Sequence, residues 1–371
     1  MDTGMLGGVT ATPEELAAMQ KGPYILHARG GRLTKVPVEK IALPRDPQGH
    51  VQRLCLVDAP DGTIYAAQHT IISKSTDGGR TWEHLQRDPT PFGGWRLQFT
   101  EDGTMLNISG SAPHTVWASE DDGETWEHIG QIDAPSSGTT ELGFSVTRRT
   151  DGTLLVPVLH REAQTSEDHS TVLSGANTCY VYRSADGGRT VPYRSVLGDW
   201  CHEVNVAALP TGRLLAVIRY QRGYLPDDPP DLGERTGATA FGSRFPYKHV
   251  FLADSADGGT TWTRPRPLTT VFGQCYGSGV GLSDDRVVVV HDHRYPRDVS
   301  SARAMVSRDG GQTWEDEVYY LRHGDVAGYA ATISLDGEQM FTLTGSCYGD
   351  VEQWDGLIGR SDFVLIRWRL V

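Results

Sequence analysis

The 371 residues carry 34 Lys and Arg against 47 Asp and Glu, a net charge of −13. That acidity argues against a nucleic-acid surface, whose affinity comes from basic side chains neutralising phosphates. With 38% hydrophobic and 22% charged residues the composition is that of an ordinary globular protein, which excludes a disordered or fibrous chain. No apolar run of about 18 residues is present to span a membrane.

In chain order, Met1–Gly8 lacks the basic and apolar regions of a signal peptide. This predicts a cytoplasmic chain, or a secreted one if a leader was removed. Thr12-Pro13-Glu14-Glu15 places an N-cap before a proline at the first helical position, so a short helix closes an N-terminal extension over residues 1–22. Residues 23–371 then read as a single domain rich in turns, because 43 glycines and 20 prolines are spread along it. Cys55, Cys179, Cys201, Cys275 and Cys347 are an odd count without close spacing, so buried free thiols are expected.

The informative feature is a repeat. Ser75–Trp82 reads Ser-x-Asp-x-Gly-x-Thr-Trp, and the pattern recurs at Ser119–Trp126, Ser184–Val191, Ser255–Trp262 and Ser307–Trp314, with Val191 replacing the tryptophan in the third copy. An Asp side chain accepts from nearby backbone N–H groups, and Gly supplies the positive φ of a tight turn. The Trp then anchors the following strand between neighbouring sheets. A second turn precedes each copy, at Asp61-Gly62, Asp102-Gly103, Asp151-Gly152, Thr211-Gly212 and Asp284-Asp285. A sixth, Asp336-Gly337, has no such motif after it.

Each unit therefore reads strand, turn, strand, loop, strand, turn, strand. The first comprises Arg53–Asp58, Ile64–Gln68, Thr70–Lys74 and Trp82–Leu85. Six such units predict an all-β, six-bladed propeller of four-stranded antiparallel blades. The last unit has strands near Tyr329–Leu335, Gln339–Thr344 and Asp362–Leu370, and takes its fourth strand from Leu33–Leu43, which closes the ring; a seventh blade using Tyr24–His27 is the alternative.

The short uniform turns occupy one face of the disc. The irregular connections, including the long loops Arg161–Ala176 and Gln221–Lys248, fall on the other. Residues starting first strands or ending second strands on that face are Arg53, His69, Trp95, Arg96, His114, Glu141, His160, Arg161, His202, Glu203, Arg219, Tyr220, Tyr276, His291, His293, Arg294, Arg297 and Tyr329. Guanidinium forks suit a carboxylate and aromatic faces suit sugar rings. The expected partner is an acidic oligosaccharide or glycoside, with no nucleic acid and no membrane. His291-Asp292-His293 puts two imidazoles on one strand face, but no third ligand stands at a defined spacing, so no metal site is assigned. No cofactor is called for, and a structural calcium in the central channel is left open.

With these motifs the chain resembles the sialidase superfamily of Asp-box (BNR-repeat) proteins from about residue 50 onward. The resemblance implies three arginines on a substrate carboxylate, a Tyr/Glu nucleophile pair and an Asp acid/base. Arg53 in Val51-Gln52-Arg53-Leu54 matches the first arginine, Arg219 after Leu214–Ile218 the second, and Arg294 or Arg297 in His293–Asp298 the third. Glu203 in His202–Val206 matches the glutamate, and Tyr329 in Gly328–Ala331 the nucleophile. By this resemblance Glu203 takes the phenolic proton as Tyr329 attacks the anomeric carbon. The acid/base region reads Tyr65–Ile71 and contains no carboxylate; His69 stands there instead.

Three functions follow. The first is a hydrolase releasing a terminal acidic sugar, with Tyr329, Glu203 and His69 catalytic and Arg53, Arg219, Arg294, Arg297, His114, His160, His202, His291 and Tyr276 binding substrate. The second is a polysaccharide lyase acting on a uronate, in which an arginine neutralises the carboxylate and a His or Tyr moves the proton. The third is a non-catalytic glycan-binding propeller. Fold alone does not choose among them.

Overall fold

The computed structural model describes residues 6–43, 54–68, 71–87, 95–110, 112–161, 177–324, 327–347 and 361–371, with backbone alone at 346–347 and 361–362. Alternating apolar strands and Asp/Gly turns build six antiparallel sheets arranged as propeller blades. Blade 1 is Cys55–Asp58, Ile64–Ala67, Ile71–Ser75 and Glu83–Gln86. Blade 2 is Leu97–Phe99, Met105–Ile108, Thr115–Ser119 and Glu127–Gln131. Blade 3 opens on a broken first strand, Thr139–Leu142 and Thr147–Arg148, followed by Leu154–Arg161, Asn177–Ser184 and Tyr193–Asp199.

Blade 4 is Cys201–Ala208, Leu214–Arg222, Tyr247–Ser255 and the short Arg266–Pro267. Blade 5 is Gly277–Gly281, Val287–His293, Ser301–Ser307 and Glu317–His323. Blade 6 is Ala330–Ser334, Met340–Cys347 and Ser361–Trp368, with Glu39–Leu43 as its outer strand. The closing strand thus comes from the N-terminal side, as the sequence implied, but only its second half serves. Tyr24–Arg29 and Arg32–Pro37 do not start a seventh blade; they form a hairpin that adds to the outer edge of blade 5. Only two strands lie there, too few to bury two faces on their own, so they cover an existing edge.

The helix Pro13–Lys21 has the expected start. The Thr12 hydroxyl accepts from Glu15 N–H at 3.3 Å, and the Glu15 carboxylate accepts from Thr12 N–H at 2.8 Å. It buries Leu16 and Met19 in an apolar cluster shared by blades 4 and 5.

The repeat motifs work as the sequence implied and add a docking role. Asp121 accepts from the Thr125 hydroxyl and backbone N–H and from the Ser119 hydroxyl, and these bonds hold its carboxyl down near about 2. The Trp82 and Trp126 indoles donate to Gly79 and Gly123 carbonyls at 3.0 Å, pinning the turn to the outer strand. Each motif leans on the preceding blade. Gly79 has φ +78°, and a Cβ there would lie 2.7 Å from Leu365 of blade 6. Gly188 stands in the same way against Val116 of blade 2.

First strands line a central channel of about 240 Å³, whose walls include Leu54, Arg96, Phe144, Asn205, Tyr276 and Ala331. Cys55, Cys179, Cys201 and Cys275 are buried free thiols. Among the described residues no helix is long and apolar enough to cross a membrane.

Candidate active site

Blade 4 supplies two of the site's charges from paired strands. Its first strand enters with Glu203 at φ +34°, and the pairing slips between His202 and Asn205. A left-handed backbone at a glutamate stores strain, and a bulge re-aims a side chain. Here both bring the Glu203 carboxylate against Arg219 and Tyr329. Arg219, on the second strand, donates from Nη1 to Glu203 Oε2 at 2.6 Å. Gln221, two residues on and therefore on the same face, accepts from Arg219 Nη2 at 2.7 Å and Nε at 3.1 Å. The guanidinium is held as a rigid fork.

Tyr329 arrives from the entry to blade 6. Its phenol donates to Glu203 Oε1 at 2.8 Å, with Oε2 at 3.1 Å, and accepts from Arg219 Nη1 at 3.1 Å. Gly328 makes this approach available, since a Cβ there would lie 2.1 Å from Asp292 Cα. The Tyr329 ring stacks on Tyr276 with centroids 4.5 Å apart, and Phe144 packs against both rings, at 6.1 Å from Tyr329 and 5.4 Å from Tyr276. Burial pushes the phenol up, and the Glu203 charge adds to this against the pull of Arg294 and Arg219. The phenol is therefore neutral at rest and needs a base, and Glu203 is in hydrogen-bond contact with it.

Arg294 lies over the Tyr329 ring, 5.1 Å from its centroid. Its Nε donates to Asp292, which also accepts from the backbone N–H of Cys275 at 2.7 Å and of Tyr276 at 2.9 Å. Burial opposes the Asp292 charge, but Arg294 and these donors outweigh it and keep the carboxyl below its usual range. Arg294 Nη2 is buried without a hydrogen-bond partner among the described residues. Lys248 pairs in register with Gln221, and its ammonium lies 5.7 Å from the Tyr295 ring centroid. Burial, joined by the charges of Arg294 and Arg219, pushes it down to about 8.

The structure thus brings together Glu203, Arg219, Arg294, Tyr276 and Tyr329. Arg53 and His69 lie outside the described residues. Arg297 is exposed on the turn Arg297–Val299, and Arg294 is the buried one of the two. His202 pairs in register with Arg219 but its ring bonds elsewhere, and His114, His160 and His291 are not gathered with the cluster. His114 is held by the Ser109 carbonyl and the Thr140 hydroxyl between blades 2 and 3. His160 contacts the Ser137 carbonyl at 2.6 Å. His202 is buried against Asn177, and burial with the Arg219 and Arg161 charges lowers it to about 3. His291 is buried in blade 5 against the Asp292 carbonyl and lowered to about 4 by burial.

His293, its companion in the two-imidazole motif, is bonded to Gln274 at 2.8 Å. Among the described residues no three His, Cys, Asp or Glu side chains converge as a metal-ligand set. Asp292, Gln221 and Lys248 are site residues that strand-end reasoning passed over. The i, i+2 spacing of Arg219 and Gln221 was the one available signal.

The BNR/Asp-box repeat model matches residues 305–316, which contain the whole fifth repeat motif, Ser307–Trp314. No curated protein matches the chain. Among solved structures it is similar to a protein of unknown function from Dyadobacter fermentans, at TM-score 0.60 and 17% identity, covering 89% of this chain and 98% of that one. A Hadza microbial sialidase gives TM-score 0.58 at 18% identity over 84% of this chain and 65% of its own. The Fusarium graminearum α-L-arabinofuranosidase gives 0.55 at 15% identity, over 90% and 98%. The chain therefore spans about two thirds of that sialidase's length. At these identities the likeness concerns the fold. The chain carries a BNR/Asp-box repeat on a six-bladed propeller whose fold is similar to that of these proteins.

Proposed function

We propose that this protein is a glycoside hydrolase acting on a terminal carboxylated sugar, with Tyr329 as nucleophile and Glu203 as its base. The observation that carries the reading is the three-way contact of Tyr329, Glu203 and Arg219 beneath Arg294. The phenol oxygen bonds to the anomeric carbon as Glu203 takes its proton and the glycosidic C–O bond breaks. Water then attacks the same carbon and gives up a proton to the base left by the first step, the phenolate leaves, and it regains its proton from Glu203. Arg219 and the unpartnered Nη2 of Arg294 offer donors for the substrate carboxylate. The sequence assigns the proton for the departing oxygen to His69.

The lyase alternative draws on a histidine-rich mouth. His114, His202 and His291 are instead buried in contacts of their own. The test is turnover of sialosides and uronides, followed by mass, by NMR of the anomeric configuration and by ultraviolet absorbance. Retained configuration without a new ultraviolet-absorbing double bond is expected, and Tyr329→Phe should lower kcat by about 10³-fold or more. Full activity in that variant, or an unsaturated product, overturns the reading.

A further inference from the structure

Blade 4 presents Arg219 and Gln221 on the face toward blade 5. Strand alternation must then put Tyr220 and Arg222 on the face toward blade 3. A second cavity of about 480 Å³ opens there, at the outer rim of the irregular face, lined by Asp199, Trp200, Tyr220, Arg222, Tyr247 and Arg264 among others. We infer that this cavity is an accessory carbohydrate-binding site that takes one pyranose ring of an oligosaccharide, separate from the Tyr329 centre and independent of its chemistry.

Trp200 is held at φ +61°, a conformation costly for a bulky residue. Two backbone bonds enforce it: Trp200 N–H donates to the Asn177 carbonyl at 2.9 Å, and Gln221 N–H donates to the Trp200 carbonyl at 3.1 Å. The strain keeps a half-exposed indole in the cavity wall where a relaxed backbone would re-aim it. The opposite wall is a built aromatic stack. Tyr220 lies parallel on Phe251 with centroids 4.2 Å apart, and Tyr247 meets Tyr220 edge-on at 5.5 Å.

Arg222 braces that wall. Its guanidinium stands 4.9 Å from the Tyr247 ring centroid and forms a two-point pair with Asp228 at 2.6 and 2.7 Å. The charge of Arg222 is thereby satisfied inside the protein, so the cavity does not select a strong anion through it. Exposed Arg264 and Asp199 stand at the edge, a donor and a carboxylate of which one oxygen, Oδ1, accepts from the Thr178 hydroxyl at 2.7 Å. Aromatic faces for ring C–H groups, with a donor and an acceptor for hydroxyls, fit a hydroxylated sugar ring.

The test is ligand-observed NMR with cellotriose, xylotriose, galactotriose and trigalacturonic acid on the full chain and on three variants. At least one probe should bind with a Kd of about millimolar order. Its affinity should fall about tenfold in Trp200→Gly, where glycine accepts the positive φ without strain, and in Arg264→Ala. It should persist in Arg219→Met, in which the other centre has lost its fork. No binding by any probe overturns the proposal, as does binding that is abolished in Arg219→Met or unchanged in both rim variants. Arg264→Ala alters an exposed side chain and serves alone if Trp200→Gly does not fold. Failure of the Tyr329 reading shows as absent turnover and leaves these measurements unaffected.

Discussion

At the residue scale, the pairing of Tyr329 with Glu203 sets the resting state of the centre and Lys248 sets its response to pH. The ammonium of Lys248 is held down to about 8, first by burial and then by the neighbouring guanidinium groups. Below that pH it adds positive charge beside Arg219 and Arg294; above it the charge is lost. KM for an acidic substrate should therefore rise roughly three- to tenfold as pH passes through about 8. Stability has the opposite sign. A lysine with a folded value below its unfolded one binds fewer protons when folded, so stability rises with pH from about 8 up to its unfolded value of 10.5.

Steady-state KM and melting temperature against pH check both trends, and Lys248→Met should flatten each. A KM profile unchanged by that substitution would remove Lys248 from the anion site. The four charged and phenolic residues the structure gathers, Glu203, Arg219, Arg294 and Tyr329, were legible because such groups at strand ends on one disc face have few structural uses. The histidines shared that position in the sequence. Which side of a blade a side chain takes, and whether it meets a carbonyl there, is decided by packing against the next blade, which no local pattern records. Asp292 was hidden for the same reason, since its role depends on N–H groups of Cys275 and Tyr276, on the segment that leads into a separate strand.

At the scale of the elements, the repeat motif is both a turn and a wedge. The turn chemistry was readable from Asp, Gly and Thr spacing; the wedge was not, because the residue that meets it lies in another blade. Gly62 and Gly79 separate the two roles. Both have positive φ, +85° and +78°, but a Cβ at Gly62 meets open space while one at Gly79 meets Leu365 at 2.7 Å. Gly62→Ala should cost about 1–2 kcal/mol from backbone strain alone. Gly79→Ala should cost more by about 1 kcal/mol or above, as crowding between blades 1 and 6 is added. Denaturant midpoints of the two variants measure the difference, and equal losses would confine the motif to its turn.

At the scale of the whole molecule, six blades were countable from the turns, whereas the fate of Tyr24–Pro37 was not. A hairpin pattern is the same whether it starts a blade or covers an edge, and only the free edge of blade 5 decides. Removal of residues 1–43 should strip the outer strand from blade 6 and the cover from blade 5, exposing Leu365 and Val318. A broadened calorimetric transition with dye-binding apolar surface is expected, and an unchanged sharp transition would show that the ring stands without its latch. The pairing of Glu39–Leu43 with Phe363–Arg367 also orders events at the ribosome. The latch strand leaves the exit tunnel before blades 1 to 5 and its mate after them, so an amphipathic ribbon waits unpaired while five blades are made. Its lysine, Lys40, and its glutamate, Glu39, are the kind of charged edge residues that keep a waiting strand from joining the wrong sheet.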